Sequence, residues 1–199
     1  CRYLGIRKLK VGHAGTLDPL ATGVMILCTG RHTKLIEQLQ SGRKEYIADI
    51  RLGQTTPTYD MESETDAFFP TEHITEELVR AKLLDFVGEI EQVPPAFSAV
   101  KVDGKRAYKL ARKGREFELK AKKLTIDEIE LLAYAPTQIQ IRVVCSKGTY
   151  IRALARDIGL ALGSGGHLTD LRRTRVGDYS LEQCYRVEDI RHFLAEHVA

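Results

Sequence analysis

The sequence predicts an α+β fold in which helices flank a mixed, mostly antiparallel sheet. Apolar and polar residues alternate over several stretches, which is the period of two expected of a strand with one covered face. Amphipathic stretches with helical spacing separate only some of these strands, so the regular strand–helix alternation of a parallel sheet is missing. A chain of 199 residues, 43% of them hydrophobic, can bury one sizeable core, and we expect one domain over residues 1–199.

In the N-terminal part, helix and strand patterns flank a loop that contains three glycines. Residues 2–10 are basic and compatible with a helix, and the apolar run 24–28 after the loop predicts a strand. A helix is expected from about Thr33 to Gln40, before Gly42. Residues 44–52 alternate Tyr, Ala, Ile and Leu with mostly charged residues, which predicts a strand with one polar face.

In the middle of the chain, turn residues bound a loop, a helix and two further strands. Residues 54–70 are acidic and rich in Thr, Asp and Pro, so they are expected to form an exposed loop. A helix is predicted near residues 75–86, closed by Gly88. Residues 89–93 and 97–102 are predicted strands on either side of a pair of prolines, and the following Asp-Gly pair predicts a tight turn.

The second half of the chain combines long strands with helices. A basic helix is expected to end at Gly114, and two long strands are predicted over residues 116–132 and 138–146. Ile139 and Ile141 share one face of the second strand, which suits a sheet half covered by helices. The remaining predicted elements are an amphipathic helix over residues 149–162, a strand over 168–176 and a closing helix over 187–196.

Cysteine usage and hydropathy indicate a reduced, cytoplasmic protein. The four cysteines, Cys1, Cys28, Cys145 and Cys184, are far apart and form no Cys-x-x-Cys pair, so neither disulfides nor a zinc site are expected. No apolar stretch approaches the length of a membrane span, and no signal peptide is visible. We therefore expect no contact with a membrane.

Basic residues are concentrated in one segment of a chain whose net charge is only +3. A charge of that size does not by itself indicate a nucleic-acid-binding protein, so the argument rests on its distribution. Residues 105–123 carry nine basic side chains against two acidic ones, with Tyr108 and Phe97 nearby, which favours contact with RNA over a merely solvated helix face. The predicted phosphate-binding residues, with a second small cluster in the C-terminal part, are Lys105, Arg106, Lys109, Arg112, Lys113, Arg172 and Arg173.

The glycine-containing loop, residues 12–24, carries His13 and Asp18. Glycines let a ligand approach the backbone closely, and Pro19 disfavours a helix at Asp18, so the loop is suited to present a catalytic carboxylate. An Asp-Pro pair is also a common turn initiator, and on spacing alone a simple turn is the stronger interpretation. As metal ligands, His13 and Asp18 lack a third partner at a recognisable spacing.

Several motifs, in order along nearly the whole chain, favour the catalytic interpretation. The loop reads Gly-His-Ala-Gly-Thr-Leu-Asp-Pro-Leu-Ala-Thr-Gly-Val and resembles the signature loop of the TruB family of tRNA pseudouridine-55 synthases. A match of this length is far more specific than a lone Asp-Pro pair. The other stretches that resemble the family are residues 44–46, 53–60, 92–101, 145–152 and 171–174.

The resemblance implies a pseudouridine synthase fold with a central RNA-binding cleft across a long mixed sheet. It also implies isomerisation of a uridine in the T-arm loop of tRNA, at position 55, by a monomeric enzyme without cofactor or metal. Asp18 matches the essential aspartate, which acts either as a nucleophile or as the base that removes a sugar proton. Arg152 matches the arginine that pairs with this aspartate. An arginine suits this role because its planar guanidinium can bind a carboxylate with two hydrogen bonds and keeps its charge when desolvated.

Four further residues match substrate-contacting positions of the family. Tyr46 matches the tyrosine that stacks on the target base, although a tyrosine on a half-buried strand is more often part of the core. His13 matches the histidine that fills the space left by the flipped nucleotide, with a turn histidine as the alternative. Tyr150 and Leu171 match further substrate contacts, and residues 94–120 resemble the family's thumb-like RNA-binding insert.

The sequence also departs from the family pattern. Family members normally begin with a strand that carries a Lys-Pro-x-Gly motif and often end with a small RNA-binding PUA domain, and neither is visible here. The related enzymes that work with guide RNA share the aspartate loop, so a subunit of that kind is one alternative. A tRNA-folding chaperone that acts without catalysis and a metal-dependent hydrolase are two others, which substitution of Asp18 and a chelator would distinguish.

Overall fold

Strands and helices follow one another without a regular order, as predicted for an α+β fold. The computed structural model describes residues 8–102 and 104–197. The strands are β1 (Val11–His13), β2 (Thr22–Gly23), β3 (Leu27–Thr29), β4 (Lys44–Leu52), β5 (Gln54–Thr55), β6 (Ala67–Phe68), β7 (Gly88–Gln92), β8 (Lys101–Val102), β9 (Lys105–Arg106), β10 (Lys122–Ala135), β11 (Gln138–Cys145), β12 (Gly166–Val176) and β13 (Tyr179–Ser180). The α-helices are α1 (Ile36–Ser41), α2 (Glu76–Leu84), α3 (Ala107–Ala111), α4 (Ile151–Ala161) and α5 (Ile190–His197), and 3₁₀ turns span Gly30–Leu35 and Leu181–Gln183.

The main sheet has seven strands, with β4 near its centre. Its strands follow the spatial order β13, β12, β4, β11, β10 and β7, and β2 pairs with β12 outside this path. All neighbours are antiparallel except β2 and β12, which are parallel. β1 and β3 form a separate antiparallel pair. The sheet is thus mixed and mostly antiparallel, as the sequence predicts.

One face of the sheet carries the hydrophobic core. Every second residue of β4, from Lys44 to Leu52, is buried, and the residues between them are half-buried. Val79 of α2 and Leu154 and Ile158 of α4 belong to the same buried cluster as the apolar side chains of β4. The two helices therefore cover this face, and the period of two in the sequence reflects that cover.

Helix α4 touches β12 backbone to backbone. A Cβ atom added at Gly159 would lie 2.4 Å from the nitrogen of Gly166 and 2.5 Å from the carbonyl carbon of Gly165. Real Cβ atoms do not come this close to a neighbouring backbone, so a glycine is required at position 159. The contact fixes how closely α4 and the residues at its N terminus approach the sheet.

Several predicted elements lie close to their predicted bounds. β4 has the predicted bounds, and the predicted helices over residues 149–162 and 187–196 correspond to α4 and α5. α2 begins one residue after Thr75, whose Oγ1 accepts a hydrogen bond from the N–H of Leu78 at 3.2 Å and thereby caps the helix. The strands predicted over residues 89–93, 138–146 and 168–176 correspond to β7, β11 and β12.

Two predictions in the N-terminal part are wrong in their bounds. The apolar run 24–28 is not one strand, because the chain leaves β12 after Gly23, which has a φ of 104°, and pairs with β1 only from Leu27. The helix predicted from Thr33 begins as a 3₁₀ turn, and α1 starts only at Ile36. The Oγ1 atom of Thr33 donates to the carbonyl of Gly30 at 2.8 Å, a local bond that competes with regular helical geometry.

Three predictions around the basic segment also need correction. The long strand predicted from residue 116 begins only at Lys122, because its partner β7 ends at Gln92, opposite Lys122. Of the strand predicted over residues 97–102, only Lys101–Val102 forms a strand, which pairs with β9. The basic helix ends at Ala111, three residues before Gly114.

Residues 54–70 do not form the simple exposed loop that the sequence predicts. β5 and β6 pair within this segment, and Thr56, Thr58 and Asp60 are buried. Thr56 Oγ1 donates to the carbonyl of Asp60 at 2.8 Å, so the segment satisfies polar groups internally instead of exposing them to water. This fold places Asp60 inside the molecule.

The remaining predictions concern the N-terminal helix, the Asp-Gly turn, the cysteines and the absence of a membrane span, and the structure describes these only in part. The helix predicted over residues 2–10 falls largely outside the described residues, as does Asp103 of the predicted turn. Cys28 and Cys145 are buried free thiols, and Cys184 is an exposed one. In the part of the chain that is described, no helix has the length and apolar character needed to cross a bilayer.

Candidate active site

Asp18 lies in the loop that connects β1 to β2. The loop opens with a bond from the N–H of Ala14 to the carbonyl of Ile26 at 2.9 Å. The carbonyl of Asp18 accepts a hydrogen bond from the N–H of Ala21 at 3.0 Å, which closes a tight turn around Pro19. The side chain of Asp18 is 40% exposed to solvent. Asp18 therefore initiates a turn, as an Asp-Pro pair commonly does, and its carboxylate is also accessible from solvent.

Arg152 holds the carboxylate of Asp18 with both arms of a fork. Its Nε donates to Oδ2 of Asp18 at 2.8 Å, and its Nη2 lies 3.3 Å from Oδ1. Arg152 lies in the first turn of α4 and its side chain is only 5% exposed. A charge-assisted pair of this geometry fixes the orientation of the carboxylate. The guanidinium lies against the protein, so the solvent side of the carboxylate stays accessible.

The remaining donors of Arg152 bind two further segments of the chain. Nη1 donates to the carbonyl of Thr58 at 3.2 Å, and Nη2 donates to the carbonyl of Phe97 at 3.1 Å. Nε also lies 3.5 Å from Oδ2 of Asp60, whose side chain is 7% exposed. One arginine thus joins the aspartate loop, the segment around Asp60, the start of the basic insert and α4.

Asp60 is the residue of this site that sequence reasoning did not single out. It ends the motif at residues 53–60, but nothing in its spacing indicates that it would face Arg152. Its Oδ1 accepts a hydrogen bond from the N–H of Glu62 at 3.0 Å. Tyr59 before it has a φ of 62°, an uncommon conformation for a non-glycine residue, and its ring lies 4.8 Å from the guanidinium of Arg156. Asp60 is buried next to a residue with a strained backbone, and these two features, which indicate a functional site, are visible only in the structure.

Two tyrosines lie near the carboxylate. Tyr46 of β4 is buried, and Tyr150 is the residue immediately before α4 and is half-buried. Burial raises the pKa of both phenols, and the negative charge of Asp18 raises both pKa values further. Both side chains therefore stay protonated at neutral pH. The side-chain amide of Gln92 holds the backbone of Tyr150, accepting from its N–H at 2.9 Å and donating to its carbonyl at 3.2 Å.

A small cavity connects the acidic side chains to β12. Its interior space is about 10 Å³, roughly the volume that one water molecule needs, so it forms the floor of the site and does not enclose a base. Leu171, which is buried, forms part of the wall, and its carbonyl accepts a hydrogen bond from Thr22 Oγ1 at 3.5 Å. The lining residues are Asp18, Leu20, Ala21, Asp60, Leu168, Thr169, Asp170 and Leu171.

The other predicted site residues lie at the surface, with one exception. His13 is exposed at the end of β1. Lys105, Arg106, Lys109, Arg112, Lys113 and Arg172 are all exposed, and the guanidinium of Arg112 lies 5.6 Å from the ring centre of Tyr108. Arg173 is only 1% exposed, so the structure buries it where the sequence predicts a residue that faces RNA phosphates.

Metal ligands do not cluster at this site. Among residues 8–102 and 104–197, no group of three or more His, Cys, Asp or Glu side chains could hold a metal ion. The absence of a metal from the reaction stays a prediction that a chelator can test.

Two family models match the sequence. The model described as TruB family pseudouridylate synthase (N terminal domain) matches residues 2–151, and the model described as tRNA pseudouridylate synthase B C-terminal domain matches residues 152–198. The tRNA pseudouridine synthase B of Phocaeicola vulgatus is 68% identical over 194 residues, covering 98% of this chain and 83% of the relative. That of Mycobacterium leprae is 50% identical over 190 residues, covering 91% of this chain and 59% of the relative.

Solved structures of other proteins share the fold. A crystal structure of a Cbf5-Nop10-Gar1 complex matches 99% of this chain with a TM-score of 0.72 and 28% identity. A structure of an H/ACA RNP bound to a substrate RNA containing 2'-deoxyuridine matches all of it with a TM-score of 0.70 and 26% identity. This chain spans about half the length of the chains matched in those two structures. Family models cover almost the entire sequence, and the predicted fold is confirmed: the chain belongs to the TruB family of pseudouridylate synthases.

Proposed function

We propose that this chain converts a uridine in the T-arm loop of tRNA to pseudouridine, with Asp18 as the essential catalytic carboxylate. The observation that carries the proposal is the forked ion pair between Asp18 and the buried Arg152 within the family's signature loop. Relatives named tRNA pseudouridine synthase B, up to 71% identical among those compared, support tRNA as the substrate class.

The reaction rearranges bonds within one nucleotide. The bond between the sugar C1' and the base N1 breaks, the base turns, a bond forms between C1' and C5, and the proton on C5 leaves while N1 gains a proton. Atoms and electrons balance without a redox partner. A carboxylate serves either as the nucleophile or as the base that removes a sugar proton, and the fork of Arg152 orients Asp18 for either role.

The proposal requires that the base leave the RNA stack. Inside a structured loop the reacting atoms are inaccessible, so extrusion of the nucleotide must precede chemistry. Tyr46 and Tyr150 lie near Asp18 and can stack on the extruded base, which offsets part of the unstacking cost. His13 is exposed at the rim of the same loop, where it can occupy the space that the flipped base leaves.

Two other functions are compatible with the fold. In a guide-RNA-dependent subunit the sequence specificity would come from a second RNA. However, the sequence identity to the chain matched in the Cbf5-Nop10-Gar1 complex is only 28%, against 68% for a relative named tRNA pseudouridine synthase B. A chaperone that folds tRNA without chemistry needs the basic surface but not the ion pair. The ion pair therefore favours the enzyme.

The decisive experiment measures tritium release from C5-labelled uridine in a T-arm hairpin. We expect release with the unmodified chain, no release with Asp18→Asn, unchanged RNA binding by that variant, and no effect of a chelator. Asp85→Asn, at an exposed position of a surface ion pair, serves as the matched control and should react normally. Hairpins that carry the label at other loop uridines test the position.

Two outcomes would contradict the proposal. Release that survives Asp18→Asn would remove Asp18 from the chemistry. Binding without release by the unmodified chain, in a hairpin and in full-length tRNA, would favour the chaperone.

A further inference from the structure

The guanidinium of Arg173 binds the backbone on both sides of Asp18. Its Nε donates to the carbonyl of Val24 at 2.8 Å. Its Nη1 and Nη2 donate to the carbonyls of Thr16 and Gly15 at 3.3 and 3.2 Å. Gly15 and Thr16 precede Asp18 in the loop and Val24 follows it, so one side chain ties the beginning of the loop to its end.

The main chain at the same position supports the end of the loop. The carbonyl of Arg173 accepts a hydrogen bond from the N–H of Val24 at 2.8 Å, next to the parallel pairing of β2 with β12. Gly23 has a φ of 104°, and a Cβ atom there would lie 2.1 Å from the carbonyl oxygen of Arg173. Glycine is therefore needed at position 23 so that the loop can lie directly on β12.

Arg173 also acts on Tyr46, which is its neighbour across the pairing of β12 with β4. Burial raises the pKa of the Tyr46 phenol most strongly, whereas the nearby guanidinium of Arg173 lowers that pKa. The same guanidinium thus faces both the aspartate loop and the tyrosine proposed to stack on the base.

Burial of the charge of Arg173 is unfavourable for the free energy of folding, so its position calls for a functional explanation. Arg173 is the largest of the fully buried side chains, and among the ion pairs of the described residues none includes it. Backbone carbonyls replace the water around its guanidinium, but a buried apolar side chain would avoid the desolvation penalty altogether. The positive charge also lowers the pKa of buried Lys44, after burial itself, so it is unfavourable for a second neighbour.

We infer that Arg173 is a positioning residue for the isomerisation, which holds the backbone around Asp18 and the phenol of Tyr46 in one arrangement. The inference rests on the proposed function. Arg152 fixes the carboxylate of Asp18, and Arg173 fixes the loop that carries it. A shift of the loop by a fraction of an ångström would misalign the carboxylate against the sugar, so Arg173 acts on the rate of the chemical step and not on RNA affinity.

The test compares Arg173→Lys with Arg80→Lys in single-turnover reactions. Lysine keeps the charge but cannot reproduce the fork that reaches three carbonyls. With Arg173→Lys we expect the rate at saturating RNA to fall about 30- to 100-fold while the dissociation constant of the hairpin changes less than about threefold. Arg80→Lys, at an exposed position on α2, should change neither the rate nor the affinity. Measurements are made at a temperature where near-UV circular dichroism shows the variants fully folded.

A second readout does not depend on activity. In protein labelled at the tyrosine ζ-carbon, the Tyr46 resonance, assigned with Tyr46→Phe, should move in Arg173→Lys and stay unchanged in Arg80→Lys. If the Arg173→Lys variant does not fold, the α-hydroxy analogue of leucine at Leu17 converts the Thr16 carbonyl to an ester, a weaker acceptor. That change should slow the reaction at saturating RNA about three- to tenfold.

Either of two results would overturn the inference. One is an unchanged rate at saturating RNA. This means a rate within threefold of the unmodified chain for a folded Arg173→Lys variant, or within twofold for the ester variant. The other is loss of affinity with an unchanged rate, which would make Arg173 an RNA contact after all. An unmodified chain that releases no tritium would instead contradict the proposed function, and the Tyr46 resonance would still report whether Arg173 positions that side chain.

Discussion

At the scale of single residues, the unusual feature of this site is one arginine shared by two aspartates. Arg152 lies 2.8 Å from the half-exposed carboxylate of Asp18 and 3.5 Å from the buried carboxylate of Asp60. Asp18 is accessible to a substrate, whereas Asp60, at 7% exposure, is almost completely removed from solvent at the floor of the site. The buried partner balances the arginine from behind and leaves its forked face directed at Asp18.

Removal of the charge of Asp60 should therefore slow the chemistry without weakening RNA binding. In Asp60→Asn the size of the side chain is kept but the guanidinium of Arg152 loses one of its two anionic partners and can shift toward Asp18. We expect the rate at saturating RNA to fall about tenfold or more, because alignment of the reacting carboxylate is lost. Single-turnover tritium release and hairpin binding measure the two quantities separately.

The matched control for this prediction is Asp66→Asn. Asp66 is exposed in the same segment and accepts a hydrogen bond from Thr55 Oγ1 at 2.6 Å. It should change neither rate nor affinity. Equal rates for Asp60→Asn and the unmodified chain would show that Arg152 does not need its second partner.

The sequence identifies some of these residues and misses others for a common reason. Asp18 and Arg152 are 134 positions apart, and only the resemblance to a family relates them. Asp60 was overlooked because a segment rich in Thr, Asp and Pro predicts exposure, and Arg173 was misinterpreted because neighbouring arginines suggest a charged surface. In both cases burial depends on which hydrogen-bonding partners lie nearby, donors for Asp60 and backbone carbonyls for Arg173, and tertiary packing brings most of these partners together.

At the scale of secondary-structure elements, a carboxylate on the polar face of the sheet joins three strands. Glu45 of β4 accepts hydrogen bonds from Arg142 of β11, at 3.0 and 2.7 Å, and from Thr174 of β12, at 2.7 Å. Burial raises the pKa of Glu45, but the hydrogen bonds of Thr174 and Arg142 and the charges of Arg142 and Arg175 outweigh it, so its pKa lies below 4.5. The central strand is thus held from both sides by one group.

Glu45 should make the stability of the sheet depend on acid. Because its pKa is lower in the folded state, its contribution is fully present above about pH 4.5 and is lost as the pH falls through the folded pKa. We expect Glu45→Gln to lower the free energy of unfolding at pH 7 by about 1 to 3 kcal/mol. Urea unfolding between pH 7 and pH 3 should show this difference shrink as the pH falls.

Glu128→Gln provides the comparison, since Glu128 binds the same arginine but is 59% exposed. Its effect should be within about 1 kcal/mol at every pH. A difference for Glu45→Gln that stays constant down to pH 3 would show that shape, not charge, explains the loss.

The contact between α4 and β12 gives a second prediction at this scale. Alanine normally stabilises a helix relative to glycine by about 0.5 to 1 kcal/mol, but at position 159 its Cβ would lie 2.4 Å from the backbone of Gly166. We expect Gly159→Ala to destabilise the protein by about 1 to 3 kcal/mol. Leu160→Ala, on the exposed side of the same helix, should stay within about 0.5 kcal/mol in urea unfolding. Equal or greater stability of Gly159→Ala would mean that helix and strand can separate freely.

Predictions from periodicity succeed where one face of an element is covered along its length. β4 and α4 follow their patterns because the core covers one side of each continuously. Predictions from periodicity fail where the partner strand determines the bounds. β10, for example, begins at Lys122, opposite Gln92, the last residue of β7. Strand bounds are set by partners, and a single stretch of sequence does not contain its partner.

At the scale of the whole molecule, the proposed function assigns separate tasks to the ion pair of the site and to the basic surface. The ionised pair at the site is small and partly buried, whereas the basic side chains of residues 105–113 are exposed on a short hairpin and helix. The two regions meet at Phe97, whose carbonyl binds Arg152 at 3.1 Å. Because this contact is made by a backbone carbonyl, we expect that binding of the RNA backbone and alignment of the carboxylate can be changed independently.

Neutralisation of this basic surface should weaken RNA binding and its salt dependence but not the chemical step. Each phosphate contact that is lost lowers the slope of log K against log salt by about 0.7 to 0.9. For Lys105, Arg106, Lys109 and Lys113 changed together to Gln, we expect the slope to fall by about 2 to 3.5, with the rate at saturating RNA within about twofold. Arg80→Gln with Lys82→Gln, which removes two cations paired with acids on α2, should leave the slope unchanged. If the slope of the fourfold variant equals that of the unmodified chain, the basic segment does not contact phosphates. If instead the rate at saturating RNA falls with affinity, the segment takes part in alignment through Phe97, and the two tasks are not separate.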